Sequence, residues 1–206
     1  MANFNDKSRT SYNKKADNYE NSPEGRFTRE FQRLLIKNID FNINSSILDV
    51  ACGNGSLLKL LNSKNPIKGF GIDISEQMIK NAATNNSDME FYVAGCEAIP
   101  FPDNSIDIIT VCAAYHHFPD VVAFSKEAHR VLKPDGRLYI AEIYLPSVLQ
   151  VIVNPFVPLS KDGDVKFYSP KEIINNFMPF GFEKLDVMIN GHIQIVSLRN
   201  YEKKRF

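Results

Sequence analysis

Ser46-Ile47-Leu48-Asp49-Val50-Ala51-Cys52-Gly53-Asn54-Gly55-Ser56-Leu57-Leu58-Lys59-Leu60-Leu61 reads as an apolar strand, a tight glycine turn and the apolar face of a helix. Ile47, Leu48 and Val50 suit a buried parallel strand, while Gly53 and Gly55 permit positive φ and let a ligand lie against bare backbone. Leu57, Leu58, Leu60 and Leu61 recur at helical spacing, so the turn opens into a helix N-terminus whose free N–H groups attract the polar end of a ligand. The stretch predicts a nucleotide-type crevice at the carboxyl end of a strand.

Outward from this turn, strands and helices alternate. Strands are expected at Gly69–Ile72, Glu90–Ala94, Ile106–Val111 and Arg137–Glu142. Helices are expected at Glu76–Asn85, capped by Ser75, and at Val121–Leu132, with Lys133-Pro134-Asp135-Gly136 as a turn. This rhythm predicts an α/β, doubly wound, Rossmann-like and mostly parallel sheet with right-handed crossovers. Beyond Ile143 the pattern breaks. Residues 143–168 form an apolar, proline-punctuated insertion, followed by a helix from Pro170 and two strand-like runs joined by Asn190-Gly191, a strong hairpin signal. An antiparallel hairpin therefore closes the sheet, for seven strands in all.

At 206 residues, 44% apolar and 23% charged, the chain predicts one soluble domain. Its parts are a lid and first helix (1–40), a cofactor-binding core (46–142), the insertion (143–168), and the last helix and hairpin (169–206). Lysine plus arginine balances aspartate plus glutamate at 24 each, so no overall field draws the protein to nucleic acid. The N-terminus is polar, and no apolar run approaches the ~18 residues of a membrane span; the expected location is the cytoplasm. Cys52, Cys96 and Cys112 are odd in number and lack CxxC spacing, which argues for buried thiols. In the N-terminal segment, Tyr12, Ala16 and Tyr19 recur at helical spacing.

Both dinucleotides and S-adenosylmethionine bind in such a crevice. A dinucleotide fingerprint would need a third glycine where Leu58 stands. Four stretches together, Leu48 to Gly55, Gly71 to Met78, Glu97 to Asp103 and Val131 to Gly136, resemble the class I S-adenosylmethionine-dependent methyltransferases. The resemblance is to the small-molecule, type 11 group that includes the ubiquinone and menaquinone biosynthesis enzymes, and it runs from Ser46 to Glu142. Ser169-Pro170-Lys171-Glu172 with Gly181-Phe182 looks like the family's last helix and strand, and Tyr12, Ala16 and Tyr19 look like its lid.

The resemblance implies S-adenosylmethionine as cofactor and assigns it residues. Ala51, Cys52, Gly53, Asn54 and Gly55 would lie against its methionine and ribose parts, Asp49 would attract the methionyl ammonium, and Asp73 would accept from both ribose hydroxyls. Ile74 and Met78 would line the adenine, with Cys96 behind it, Tyr19 above and Cys112 near the methyl group. The family often has an aspartate where this chain has Gly95, so a side-chain acceptor for the adenine amino group is lost unless Glu97 reaches back.

Methyl transfer is an in-line displacement that needs alignment, and a base only where the nucleophile must lose a proton. Tyr115, His116 and His117 follow the fourth strand and are the catalytic candidates, an imidazole being a suitable base. Carboxylates at metal-ligand spacing are absent around this loop, and no metal is expected. The insertion stands where the family builds its substrate cover, and it reads as a lid, as a homodimer or membrane-surface contact, or as ordinary core. The acceptor expected is a small, apolar or aromatic molecule. Rival readings are a cofactor-binding protein without catalysis, an RNA methyltransferase and a nicotinamide dehydrogenase.

Overall fold

A computed structural model describes residues 4–201. Helix α1 (Phe4–Lys15), a 3-10 turn (Ala16–Asn21) and α2 (Pro23–Asn38) precede β1 (Ser46–Val50). There follow α3 (Ser56–Lys64), β2 (Lys68–Asp73), α4 (Glu76–Asn85), β3 (Glu90–Val93), β4 (Ile106–Cys112) and a 3-10 turn (Tyr115–His117). Then come α5 (Val121–Val131), β5 (Leu132–Ile143), α6 (Ser147–Val153), α7 (Pro170–Phe177), β6 (Phe182–Asn190) and β7 (Ile193–Asn200).

The seven strands form one sheet in the order β3-β2-β1-β4-β5-β7-β6. All neighbours from β3 to β5 run parallel, and β7 is antiparallel to both β5 and β6. From β1 the chain winds outward through β2 and β3, then crosses back to β4 on the other side. The crevice between the carboxyl ends of β1 and β4 is thus a topological switch point, where open α/β sheets bind ligands.

Strand β1 is buried along its whole length and feeds both faces of the sheet. Leu48 and Val50 join a cluster with Ile109, Phe124 and Phe177, whereas Ile47 packs on the opposite face with Leu57, Leu61, Phe31 and Leu35. Each such fully buried side chain contributes about 1.5–3 kcal/mol, which makes β1 a rigid platform for the turn beyond it. Local signals place the helices. The Ser75 hydroxyl accepts the Met78 amide at the start of α4, and Ser169 with Glu172 forms a reciprocal capping box on α7, with Pro170 at its first position. The three cysteines are free and buried. Among the described residues, no helix is long and apolar enough to cross a membrane.

Two features differ from the sequence reading, and a third bears on a choice it left open. Lys133 to Gly136 is not a turn between elements but lies inside β5, because Leu132 already pairs with Ile106 and the ladder resumes at Arg137 opposite Ile108. The extra residues are taken up as an irregularity, with Asp135 at φ 63. The hairpin loop is Gly191-His192, since Asn190 still pairs with Ile193. Within the insertion, α6 and the residues after it turn Val148, Val151, Phe156 and Leu159 outward, each more than 60% exposed.

Candidate active site

At the end of β1 the chain turns sharply. Ala51 and Gly53 adopt φ 59 and 53, and Gly55 at φ 75 caps α3. A Cβ on Gly53 would meet nothing within 4 Å, so its bare Cα faces open space at the crevice. Gly55 serves packing instead, because a Cβ there would come 2.7 Å from Asn86 Nδ2.

The cavity over this turn is walled by Ala51, Cys52, Gly53 and Asn54 below, and by Asp73, Ile74 and Met78 from β2 and α4. Cys96 and Glu97 bound one side, Cys112 and His117 the other, and Tyr12 and Tyr19 cover it from the N-terminal segment. Gly55, Gly95, Tyr115 and His116 do not line it. Ser8, Thr28 and Gln32 do, as do Ala113, Ala114, Phe118 and Pro119. The first three are polar residues on helix faces that no spacing rule singles out.

Two carboxylates stand at the β1–β2 end. Asp49, 2% exposed, accepts a hydrogen bond from Thr110 Oγ1 at 2.7 Å, its register partner on β4. Burial and the neighbouring Asp73 raise its pKa to about 7 against the Thr110 bond. Asp73 is oriented by backbone: Ser75 N–H donates to Oδ1 at 2.8 Å and Gly53 N–H to Oδ2 at 2.9 Å. Burial raises its pKa also, partly offset by these bonds. Among the described residues, no cationic side chain acts on either group. Two buried carboxylates without a counter-charge form an electrostatic vacancy for a cationic ligand.

Glu97 lies beside Gly95 at the edge of the cavity. A Cβ built on Gly95 would lie 2.6 Å from Glu97 Oε2. The Glu97 carboxylate therefore occupies the space that a side chain at position 95 would fill, and its other oxygen accepts from Asn5 Nδ2 at 3.4 Å.

At the β4 end, Ala113 at φ 51 bends the chain into the 3-10 turn Tyr115–His117. Three residues per turn send three neighbours in three directions. Tyr115 points into the core, fully buried among Phe118, Phe124, Tyr168 and Phe177, with its hydroxyl accepting from Asn176 Nδ2 at 3.1 Å. This placement argues against a catalytic role for it. His116 turns to Glu142, at 2.9 Å from Nδ1 to Oε1. Burial works to discharge His116, but Glu142 outweighs it and raises the pKa; reciprocally, Glu142 is held below its ordinary value against its own burial. Only His117 reaches the cavity, with Nε2 3.0 Å from the Tyr12 hydroxyl. Burial and the adjacent His116 lower its pKa. Asp164 comes from the far end of the insertion to lie 2.9 Å from His117 Nδ1 and 3.7 Å from His116 Nε2. Among the described residues, carboxylates do not cluster around this loop, but two imidazoles and one carboxylate converge behind it.

Helix α1 is laid over the crevice by polar ties. Asn13 accepts from Ser75 Oγ at 2.6 Å and donates to Glu76 at 2.8 Å, while Ser11 and Lys15 both donate to Asp162. Below them, Asn54 Nδ2 donates to the Ala16 carbonyl at 3.1 Å. Of the insertion, then, it is Asp162 and Asp164 that meet the site, and its apolar helix does not line the cavity.

Comparison with known proteins places this architecture. Residues 48–140 match the family model for the methyltransferase domain. The fold is shared with the S-adenosylmethionine-dependent methyltransferase of Aquifex aeolicus, at TM-score 0.66 and 21% identity over 82% of this chain and 89% of that one. It is shared also with the YcgJ protein of Bacillus subtilis, at TM-score 0.71 and 22% identity over 84% and 99%. Residues 48–140 thus match a methyltransferase domain, and they lie in a Rossmann-like fold that these proteins share.

Among relatives in sequence is the ubiquinone/menaquinone biosynthesis C-methyltransferase UbiE of Rickettsia akari, 40% identical over 112 residues, 49% of this chain and 45% of that protein. The match spans about half the length of the relative.

Proposed function

We propose that the protein transfers the methyl group of S-adenosylmethionine to a carbon atom of a small, apolar or aromatic molecule. The observation that carries this reading is the division of the cavity into two unlike ends. The β1–β2 end offers Asp49 and Asp73 without counter-charge, suited to a ligand that bears an ammonium and a sulfonium. The β4 end offers Ala113, Ala114, Phe118 and Pro119 with one imidazole, His117, suited to an apolar acceptor with a single polar handle. The choice of carbon follows the activity named for the Rickettsia relative.

In this reading Asp49 takes the methionyl ammonium, Asp73 the ribose hydroxyls and Glu97 the adenine amino group. Ile74 and Met78 flank the ring, and the backbone at Gly53 lies against the chain of the ligand. Tyr12 and Tyr19 close over it and exclude water. Bound S-adenosylmethionine would supply its methyl group to the acceptor carbon and leave as the neutral thioether, and the proton that the methylated carbon must lose would pass to the His117 imidazole on that wall or to solvent. Most of the acceleration comes from alignment. The His117–Tyr12 pair holds the acceptor's polar group and fixes the attacking face.

Calorimetric titration with S-adenosylmethionine, S-adenosylhomocysteine and NAD, followed by incubation with methyl-labelled cofactor and a panel of phenols and quinols, tests the proposal. Binding of the two sulfur nucleotides alone, with label recovered on ring carbon, is the expected result. Binding without transfer across the panel would favour a non-catalytic cofactor-binding protein, and label on oxygen would overturn the choice of carbon.

A further inference from the structure

Behind the wall of the cavity, the side chains of His116, His117 and Asp164 bring one ligating atom each to within 4.8 Å of the others. We propose that this cluster is a binding site for a first-row divalent cation of the zinc type.

The separations suit such an ion. A tetrahedral centre with metal–ligand bonds of ~2.0–2.1 Å places its ligand atoms about 3.3 Å apart. Here Asp164 Oδ1 lies 2.9 Å from His117 Nδ1 and 3.7 Å from His116 Nε2, on either side of that value. Two imidazoles and one carboxylate are the ligand types of an open zinc-class site, with the remaining position left for a non-protein ligand.

The second shell points the same way. A metal-bound histidine nearly always gives its other ring N–H to a carboxylate or similar acceptor, which fixes the tautomer and turns the free lone pair to the ion. His116 has that partner: its Nδ1 lies 2.9 and 3.0 Å from the two oxygens of Glu142, which is wholly buried. His117 has its own, with Nε2 3.0 Å from the Tyr12 hydroxyl. In both rings the nitrogen left over is the one that faces Asp164.

His117 Nδ1 is buried and its contact there is with Asp164 Oδ1 at 2.9 Å, so a cation bound between them would meet a ring lone pair and a carboxylate oxygen at once. Such an ion would also balance the two enclosed carboxylates, Glu142 and Asp164. It would bind on the Nδ1 side of His117 and leave the Nε2 edge toward Tyr12 and the cavity, so the site does not depend on the identity of the methyl acceptor.

The ion would tie the loop after β4 to the end of the insertion, and thus fix the segment on which α1 rests. The test uses the full untagged chain, stripped with chelator and titrated with zinc in competition with a chromophoric chelator, then with cobalt followed by visible spectroscopy. One zinc per chain with micromolar or tighter affinity, and cobalt bands without thiolate charge transfer, are expected. Asp164→Asn and His116→Ala should each weaken zinc at least tenfold, and Glu142→Gln by about 10- to 100-fold. A cooperative thermal melt marks each variant as folded. If His116→Ala does not fold, Asp164→Asn decides. No binding up to millimolar zinc, binding unchanged in folded Asp164→Asn, or thiolate bands from the cysteines would each overturn the proposal. Titration of S-adenosylmethionine into the same preparations reports on the cofactor crevice separately.

Discussion

The two ends of the cavity are built on opposite plans. At the β1–β2 end the two carboxylates are held by the sheet and the turns beyond it: Asp73 by the backbone amides of Gly53 and Ser75, and Asp49 by the hydroxyl of its register partner Thr110. At the β4 end the groups come from four distant segments, with Tyr12 from α1, His116 and His117 from the 3-10 turn, Glu142 from β5 and Asp164 from the insertion. They hold one another through side chains. The first plan fixes one ligand class rigidly; the second lets the acceptor be changed by substitution in any one segment while the cofactor end is untouched.

This contrast can be broken by substitution. His117→Ala should lower turnover by about 100-fold or more while leaving the affinity for S-adenosylmethionine within a factor of two or so; steady-state kinetics beside calorimetry measure both. A variant that lost cofactor binding as well would erase the division of labour. Asp73→Ala should weaken the cofactor by about 1–3 kcal/mol through lost charge-assisted hydrogen bonds, with unchanged affinity excluding Asp73 from the site.

A third prediction uses Asp49, whose pKa in the free protein is about 7. A cationic ligand binds the carboxylate form and drives off the proton, so affinity should fall as the pH drops through about 7, by at most about tenfold per unit, and should fall again on the alkaline side as the ligand's α-ammonium, with a pKa of about 8, loses its proton. Asp49→Asn should flatten the acid side of the profile and, by removing a buried charge, raise the melting temperature of the unliganded protein above pH 7. Unchanged affinity on the acid side in the parent protein would show that Asp49 does not meet the ligand's charge. The smallest effect expected is for Glu97→Ala, a loss of about tenfold or less in cofactor affinity from one hydrogen bond. S-adenosylhomocysteine should lose as much, because the two ligands share their adenine.

Sequence legibility follows the same divide. The glycine turn, the cap at Ser75 and the helix start at Pro170 are local signals, and each stands in the fold where the sequence puts it. Even the possibility that Glu97 compensates for Gly95 could be read, because the two are neighbours in sequence. The register of β5 could not, since the pairing of Leu132 with Ile106 overrides the turn chemistry of Lys133 to Gly136. Asp164 was invisible for a stronger reason: nothing in its surroundings marks it, and it acquires meaning only when the fold brings it to two histidines far away in the chain. The direction of Tyr115, His116 and His117 was likewise undecided until the 3-10 geometry separated them.

The fastening of α1 has a kinetic consequence. Its only fully buried residue is Ser8, and apart from the Tyr12 ring, which packs edge-on against Tyr19 and His117, its ties to the body of the protein are hydrogen bonds and an ion pair. Exposing apolar surface is what gives an opening step a large heat-capacity change. Lifting α1 should therefore have an almost temperature-independent enthalpy. If that motion gates release of the spent cofactor, the release rate will follow a straight Arrhenius line over a range in which global unfolding curves.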